Sequence, residues 1–107
     1  MCVAFTVALL ASLCASSIVN AQERTIELKN SGGVKFTIKG DSPTLNAEID
    51  KKSIRVYVNN GPVKLCAKQN YKNPCMIITN KKIACDLNNC FRGSGDWRNK
   101  IRSVKFL

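Results

Sequence analysis

Four cysteines in the second half of the chain, Cys66, Cys75, Cys85 and Cys90, are the side chains whose chemistry is stated most plainly. Their spacings of nine, ten and five contain no Cys-x-x-Cys pair, and the chain has no histidine, so a zinc ligand set is not available. Disulfide formation is the chemistry that remains. The seven acidic residues Glu23, Glu27, Asp41, Glu48, Asp50, Asp86 and Asp96 are scattered, and without histidine no nucleophile and base stand together. No catalytic residue, metal or cofactor is expected.

The elements before these cysteines concern export. From Met1 to Ala21 there is no charged side chain, and Val3, Ala4, Phe5, Val7, Ala8, Leu9, Leu10 and Leu13 form an apolar run too short to span a bilayer. Val19-Asn20-Ala21 places small or β-branched side chains before the polar string Gln22-Glu23-Arg24. Residues 1–21 therefore read as a signal peptide and 22–107 as one small mature domain with no transmembrane segment. Cleavage removes Cys2 and Cys14, and the four remaining cysteines enter an oxidising compartment as two disulfides. Crosslinks worth about 2 to 4 kcal/mol each matter in a domain this small. Sequence leaves three pairings open. No Asn-x-Ser/Thr site follows Ala21.

The coarse reading of 22–107 is all β. Residues 25–29 and 34–39 alternate apolar with polar around Ser31-Gly32-Gly33, the pattern of a hairpin. Ser53 to Val58 repeats the alternation, with Ile54, Val56 and Val58 on one side. Asn59-Asn60-Gly61-Pro62 breaks the chain, because Asn-Gly supplies positive φ and Pro cannot continue a central strand. Further strands are expected at 63–67, 75–79, near 83–85 and at 103–107. The two halves also rhyme. Lys52-Ser53-Ile54-Arg55-Val56-Tyr57 and Arg102-Ser103-Val104-Lys105-Phe106-Leu107 superpose as basic, Ser, β-branched, basic, apolar, apolar. Two copies of one supersecondary unit are expected.

These residues resemble a known family. Leu65-Cys66-Ala67-Lys68-Gln69-Asn70-Tyr71-Lys72-Asn73 followed by Arg98-Asn99-Lys100-Ile101-Arg102-Ser103-Val104-Lys105-Phe106 resembles a Greek-key motif of the βγ-crystallin superfamily, and Asp50-Lys51-Lys52-Ser53-Ile54-Arg55-Val56 resembles the ending of a first such key. The resemblance implies an all-β fold of two Greek keys, about 22–60 and about 61–107, packed as a disulfide-stabilised β-sandwich. Cys66 stands at the family's Tyr position, Asn73 stands in for the hairpin glycine because Asn tolerates positive φ, and the first key lacks the aromatic-x-Gly corner. The family also implies calcium loops. Here Lys52 and Arg102, next to Ser53 and Ser103, occupy the hydroxyl positions, and a fixed cation there repels Ca²⁺. With Glu48-Ile49 and Arg98-Asn99 at the acidic positions, each site holds at best one carboxylate, and both read as degenerate. Cys66 and Cys75 flank the Tyr71 turn almost symmetrically, which favours Cys66 with Cys75 and Cys85 with Cys90.

Charge carries the functional reading. From Gly61 onward the basic residues are Lys64, Lys68, Lys72, Lys81, Lys82, Arg92, Arg98, Lys100, Arg102 and Lys105, against only Asp86 and Asp96. Such a half-domain draws anionic partners: membrane lipid, cell-wall polymer or glycan. Export disfavours nucleic acid. Lys68 and Lys105, if on strands, also serve as edge charges. The expected function is a secreted, cationic, non-enzymatic binding protein of toxin, antimicrobial or effector type. The competing reading is an extracellular structural or protein-inhibitor module that meets a protein target through the loop from Asp86 to Trp97. In that loop Phe91, Arg92 and Trp97 are residue types that interfaces favour. Trp97 just before the final strand, and Phe91 with it, more often fill the sandwich core than an exposed edge.

Overall fold

The structure, a computed structural model, describes residues 23–90 and 95–107. The leader 1–21 and the loop residues Phe91 and Arg92 lie outside the described residues.

Period-two alternation builds most of the strands. β1 (Thr25–Asn30) buries Ile26 and Leu28 and pairs antiparallel with β2 (Lys35–Ile38). The turn between them is closed by Asn30, whose Oδ1 accepts from the N–H groups of Gly32 and Val34, and Gly33 takes φ 86°. β3 (Ser53–Asn59) lies on the other side of β1 and buries Val56 and Val58, whereas Ile54 is only half-buried. Asn60, at φ 67°, then turns the chain into β4 (Val63–Cys66), as the Asn-Gly signal predicts.

The second key follows with β5 (Cys75–Ile78), β6 (Lys82–Asp86) and β7 (Ser103–Phe106). One sheet runs β2-β1-β3-β6 and the other β5-β4-β7. The third arm of each key is exchanged: β6 pairs with β3 of the first key, and Ser42 of the first key bridges Val104 on β7. Equivalent hydrogen bonds mark the exchange, Ser42 N to Val104 O at 2.8 Å and Leu87 N to Ile54 O at 2.9 Å. Equivalent ion pairs follow. Lys105 meets Asp41 at 3.0 Å, and Arg55 meets Asp86.

Between the sheets lies one core of Ile26, Leu28, Val56, Val58, Val63, Leu65, Met76, Ile78 and Val104, sealed by Ile49, Leu87, Trp97 and Ile101 from the loops. Trp97 is buried, so it serves the core rather than an exposed recognition edge. Disulfides join Cys66 to Cys75 across β4 and β5, and Cys85 to Cys90.

Two local expectations need correction. The left-handed residues of the second hairpin are Asn70 (φ 59°) and Tyr71 (φ 60°), not Asn73, which precedes Pro74 and is thereby biased to extended backbone. Lys68 follows β4 rather than lying on a strand, and Lys105 sits on β7 between β4 and the Ser42 bridge. Lys68 therefore guards no strand edge, whereas Lys105 lies on β7, an end strand of its sheet, as β5 is at the other end.

Candidate anionic-surface site

The turns that precede β3 and β7 interlock at one end of the sandwich. Lys51 N donates to Ile101 O at 3.0 Å, Asn99 N to Ser53 O at 2.8 Å, and Arg102 N to Cys66 O at 2.8 Å. Lys51 and Asn99 take φ values of 60° and 61° to make the turns. Across this junction Arg102 donates from Nε and Nη2 to the two carboxylate oxygens of Asp50, at 3.2 Å each. The positive group at this corner thus has its carboxylate supplied by the other key. Lys52 is exposed and lines a hollow of about 290 Å³ with Asn30, Val34, Phe36 and Glu48. Among the described residues no three His, Cys, Asp or Glu side chains gather as a metal-binding group.

The two serines at equivalent positions differ. Ser103 is fully buried, donates from Oγ to Lys68 O at 2.6 Å and accepts from Tyr71 N at 3.1 Å, which folds the second hairpin over its sheet. Ser53 is equally buried, yet its Oγ has no hydrogen-bond partner among the described residues. The first key's hairpin is closed locally by Asn30 instead, so among the described residues no hairpin N–H reaches Ser53 Oγ.

The basic residues divide into three groups. Antiparallel register sets Lys81 and Lys82 beside the Asn59–Pro62 connection, where Gly61 N donates to Lys81 O and Lys82 pairs with Asn59. Lys68, Lys72, Arg98, Lys100 and Arg102 belong to the opposite end, beyond the far end of the four-residue strand β4. Lys64 and Lys105 face each other across β4 and β7 in between. Arg92 lies outside the described residues.

Acids reach only some of these cations. Arg98 binds Asp96 and is held above its ordinary value by that hydrogen bond, while Asp96 is lowered to about 2. Lys105 is raised by its hydrogen bond to Asp41. Asp41 is lowered first by the Phe106 N–H and then by Lys105. Lys64, Lys68, Lys72, Lys81, Lys82 and Lys100 have no ion pair among the described residues.

No protein-family model matches the sequence, and no curated protein matches it. A crystal structure of a βγ-crystallin from an archaeon does match in shape, with TM-score 0.66 and 18% identity, over 80% of this chain and 100% of that one. The chain has the βγ-crystallin fold. On this βγ-crystallin frame, the ends of the loop from Asp86 to Trp97 are tied by Trp97 N donating to Leu87 O at 2.7 Å. Beside it, Ser31, Ile54, Asp86, Asn88 and Arg98 line a hollow of about 330 Å³. Sequence reasoning did not single out Lys51 or Ile77, both exposed on this βγ-crystallin surface. Lys51 carried a signal in adjoining Lys52, but Ile77 carried none, because an apolar residue in a strand reads as core.

Proposed function

We propose that the protein is a secreted, non-enzymatic, cationic binding protein of toxin, antimicrobial or effector type, and that its second key engages an anionic surface: membrane, cell wall or glycan. The observation that carries this reading is the uneven use of acids. Every acidic residue except Glu48 is in an ion pair, and six lysines of the second key are left without one among the described residues. A cationic field of this kind is long-ranged enough to steer anionic partners. At the corner, Asp50 already balances Arg102, so no divalent cation is needed there. The uncharged leader and the two disulfides support export.

Ionic strength tests the reading. Retention on an anionic polymer or on anionic vesicles falls steeply as salt rises through physiological strength, because the Debye length shortens to about 8 Å. Equal binding to neutral and anionic surfaces, or to neither, ends it. The second reading, a structural or protein-inhibitor module, is favoured by the hollow beside Asp86, Asn88 and Arg98. Binding by that route persists in high salt, as a packed interface does.

A further inference from the structure

The row Ile77, Lys64 and Lys105 runs across the outer face of the second sheet. Ile77 on β5 is the register partner of Lys64 on β4, and Lys64 is the register partner of Lys105 on β7. The alternate residues Val63, Leu65, Met76, Ile78 and Val104 fill the core, so these three side chains point outward. Ile77 is 55% exposed. Its neighbours on the same face are the Cys66–Cys75 disulfide and the half-buried Tyr71, whose ring lies 4.9 Å from Lys105 Nζ.

Two features of this row are locally unfavourable in the isolated molecule. Lysines directly opposite in an antiparallel pair repel, and Asp41 compensates Lys105 alone. An isoleucine beside them stays in water. The three strands of the sheet carry no acidic residue, and Asp41 is occupied by Lys105 Nζ and Phe106 N. One environment relieves both features together. At the surface of an anionic bilayer, lysines sit at the phosphates while an adjoining aliphatic side chain enters the headgroup boundary, and an aromatic ring such as Tyr71 is suited to that depth. A soluble polyanion would satisfy Lys64 and leave Ile77 in water.

Resting on the anionic-surface reading above, we infer that the outer face of the second sheet is the contact face for a lipid bilayer bearing anionic headgroups, with Ile77 inserted and Lys64 at the phosphates. Sedimentation with vesicles of phosphatidylcholine, alone or mixed with phosphatidylglycerol, tests this alongside retention on heparin. The protein binds the mixed vesicles and not the neutral ones. Ile77→Asn weakens vesicle binding about tenfold, from the lost apolar burial, and leaves heparin retention unchanged. Lys64→Gln weakens vesicle binding about fivefold and also lowers heparin retention. Ile77→Thr, which keeps the β-branched shape, behaves as Ile77→Asn and guards against a folding defect. Undiminished vesicle binding by both Ile77 variants overturns the inference, as does heparin binding without vesicle binding, and either result leaves the anionic-surface reading standing. Binding to neither vesicles nor heparin overturns both.

Discussion

Arg102 and Asp50, separated by 52 positions in the chain, meet through two parallel hydrogen bonds of 3.2 Å at the junction of the two keys. A planar guanidinium is suited to this bidentate geometry, which a lysine cannot reproduce. The two side chains are about a third and a fifth exposed, so the pair is neither fully screened nor fully desolvated.

Replacing Arg102 by Met should therefore lower stability by about 1 to 2 kcal/mol, between the values typical of exposed and buried pairs. Denaturant titration reads this directly. The wild-type protein should show no calcium-induced rise in melting temperature, because the Arg102 guanidinium already faces the carboxylate at this corner.

Ser53 and Ser103 should respond oppositely to truncation. Ser103→Ala leaves the Tyr71 N–H and the Lys68 carbonyl without their partner and should cost about 1 to 3 kcal/mol. Ser53→Ala removes a buried hydroxyl that has no partner among the described residues, and should be neutral or slightly stabilising. Equal losses at the two positions would contradict the asymmetry.

Acid should destabilise the fold, and neutral pH changes should not. Asp41 and Asp96 both lie below their ordinary 3.8 in the folded protein, Asp96 at about 2. The unfolded chain takes up these protons first. Their contribution is thus complete above about pH 4 and is lost as pH falls through the folded values. With no histidine in the chain, the melting temperature should stay level between about pH 5 and 8. A fall on going from pH 8 to 6 would be incompatible with this assignment.

Each disulfide closes a short loop, of sequence separation 9 for Cys66–Cys75 and 5 for Cys85–Cys90. Loop entropy assigns about 2 to 3 kcal/mol to either crosslink. Removing Cys66 and Cys75 should cost more, since Cys66 is fully buried beneath the second hairpin whereas Cys85 and Cys90 are half-buried. Melting of the two double-Ala variants under non-reducing conditions ranks them.

Gly61 is the least replaceable residue of the connection between keys. A Cβ there would collide with the carbonyl oxygen of Asn80, a backbone atom that cannot swing away. Gly61→Ala should destabilise by more than about 2 kcal/mol, whereas Gly40→Ala, where a Cβ meets nothing within 4 Å, should change stability little.

Strands and core were legible in the sequence because alternation is a local signal: Ile26 and Leu28, Val56 and Val58, and Val63 and Leu65 each report their own inward face at a separation of two. The rhyme of residues 52–57 with 102–107 likewise disclosed the tandem keys, whose serines both begin a final strand and are both buried. Of the cationic residues, sequence showed their number and half-domain, but not that Lys81 and Lys82 stand at the opposite end from Lys68 and Lys100. That separation depends on the direction in which β4, β5 and β7 are paired.

Composition and alternation alone determined a small, basic, two-key β-protein with four pairable cysteines, since each of these follows from neighbours along the chain. The exchange of third arms, and with it the pairing of Asp50 to Arg102, Asp41 to Lys105 and Asp86 to Arg55, was decided only in three dimensions. Each of those carboxylates meets a cation on the other key. Its distance along the chain carries no signal, and only the packed sheets bring the two charges within reach.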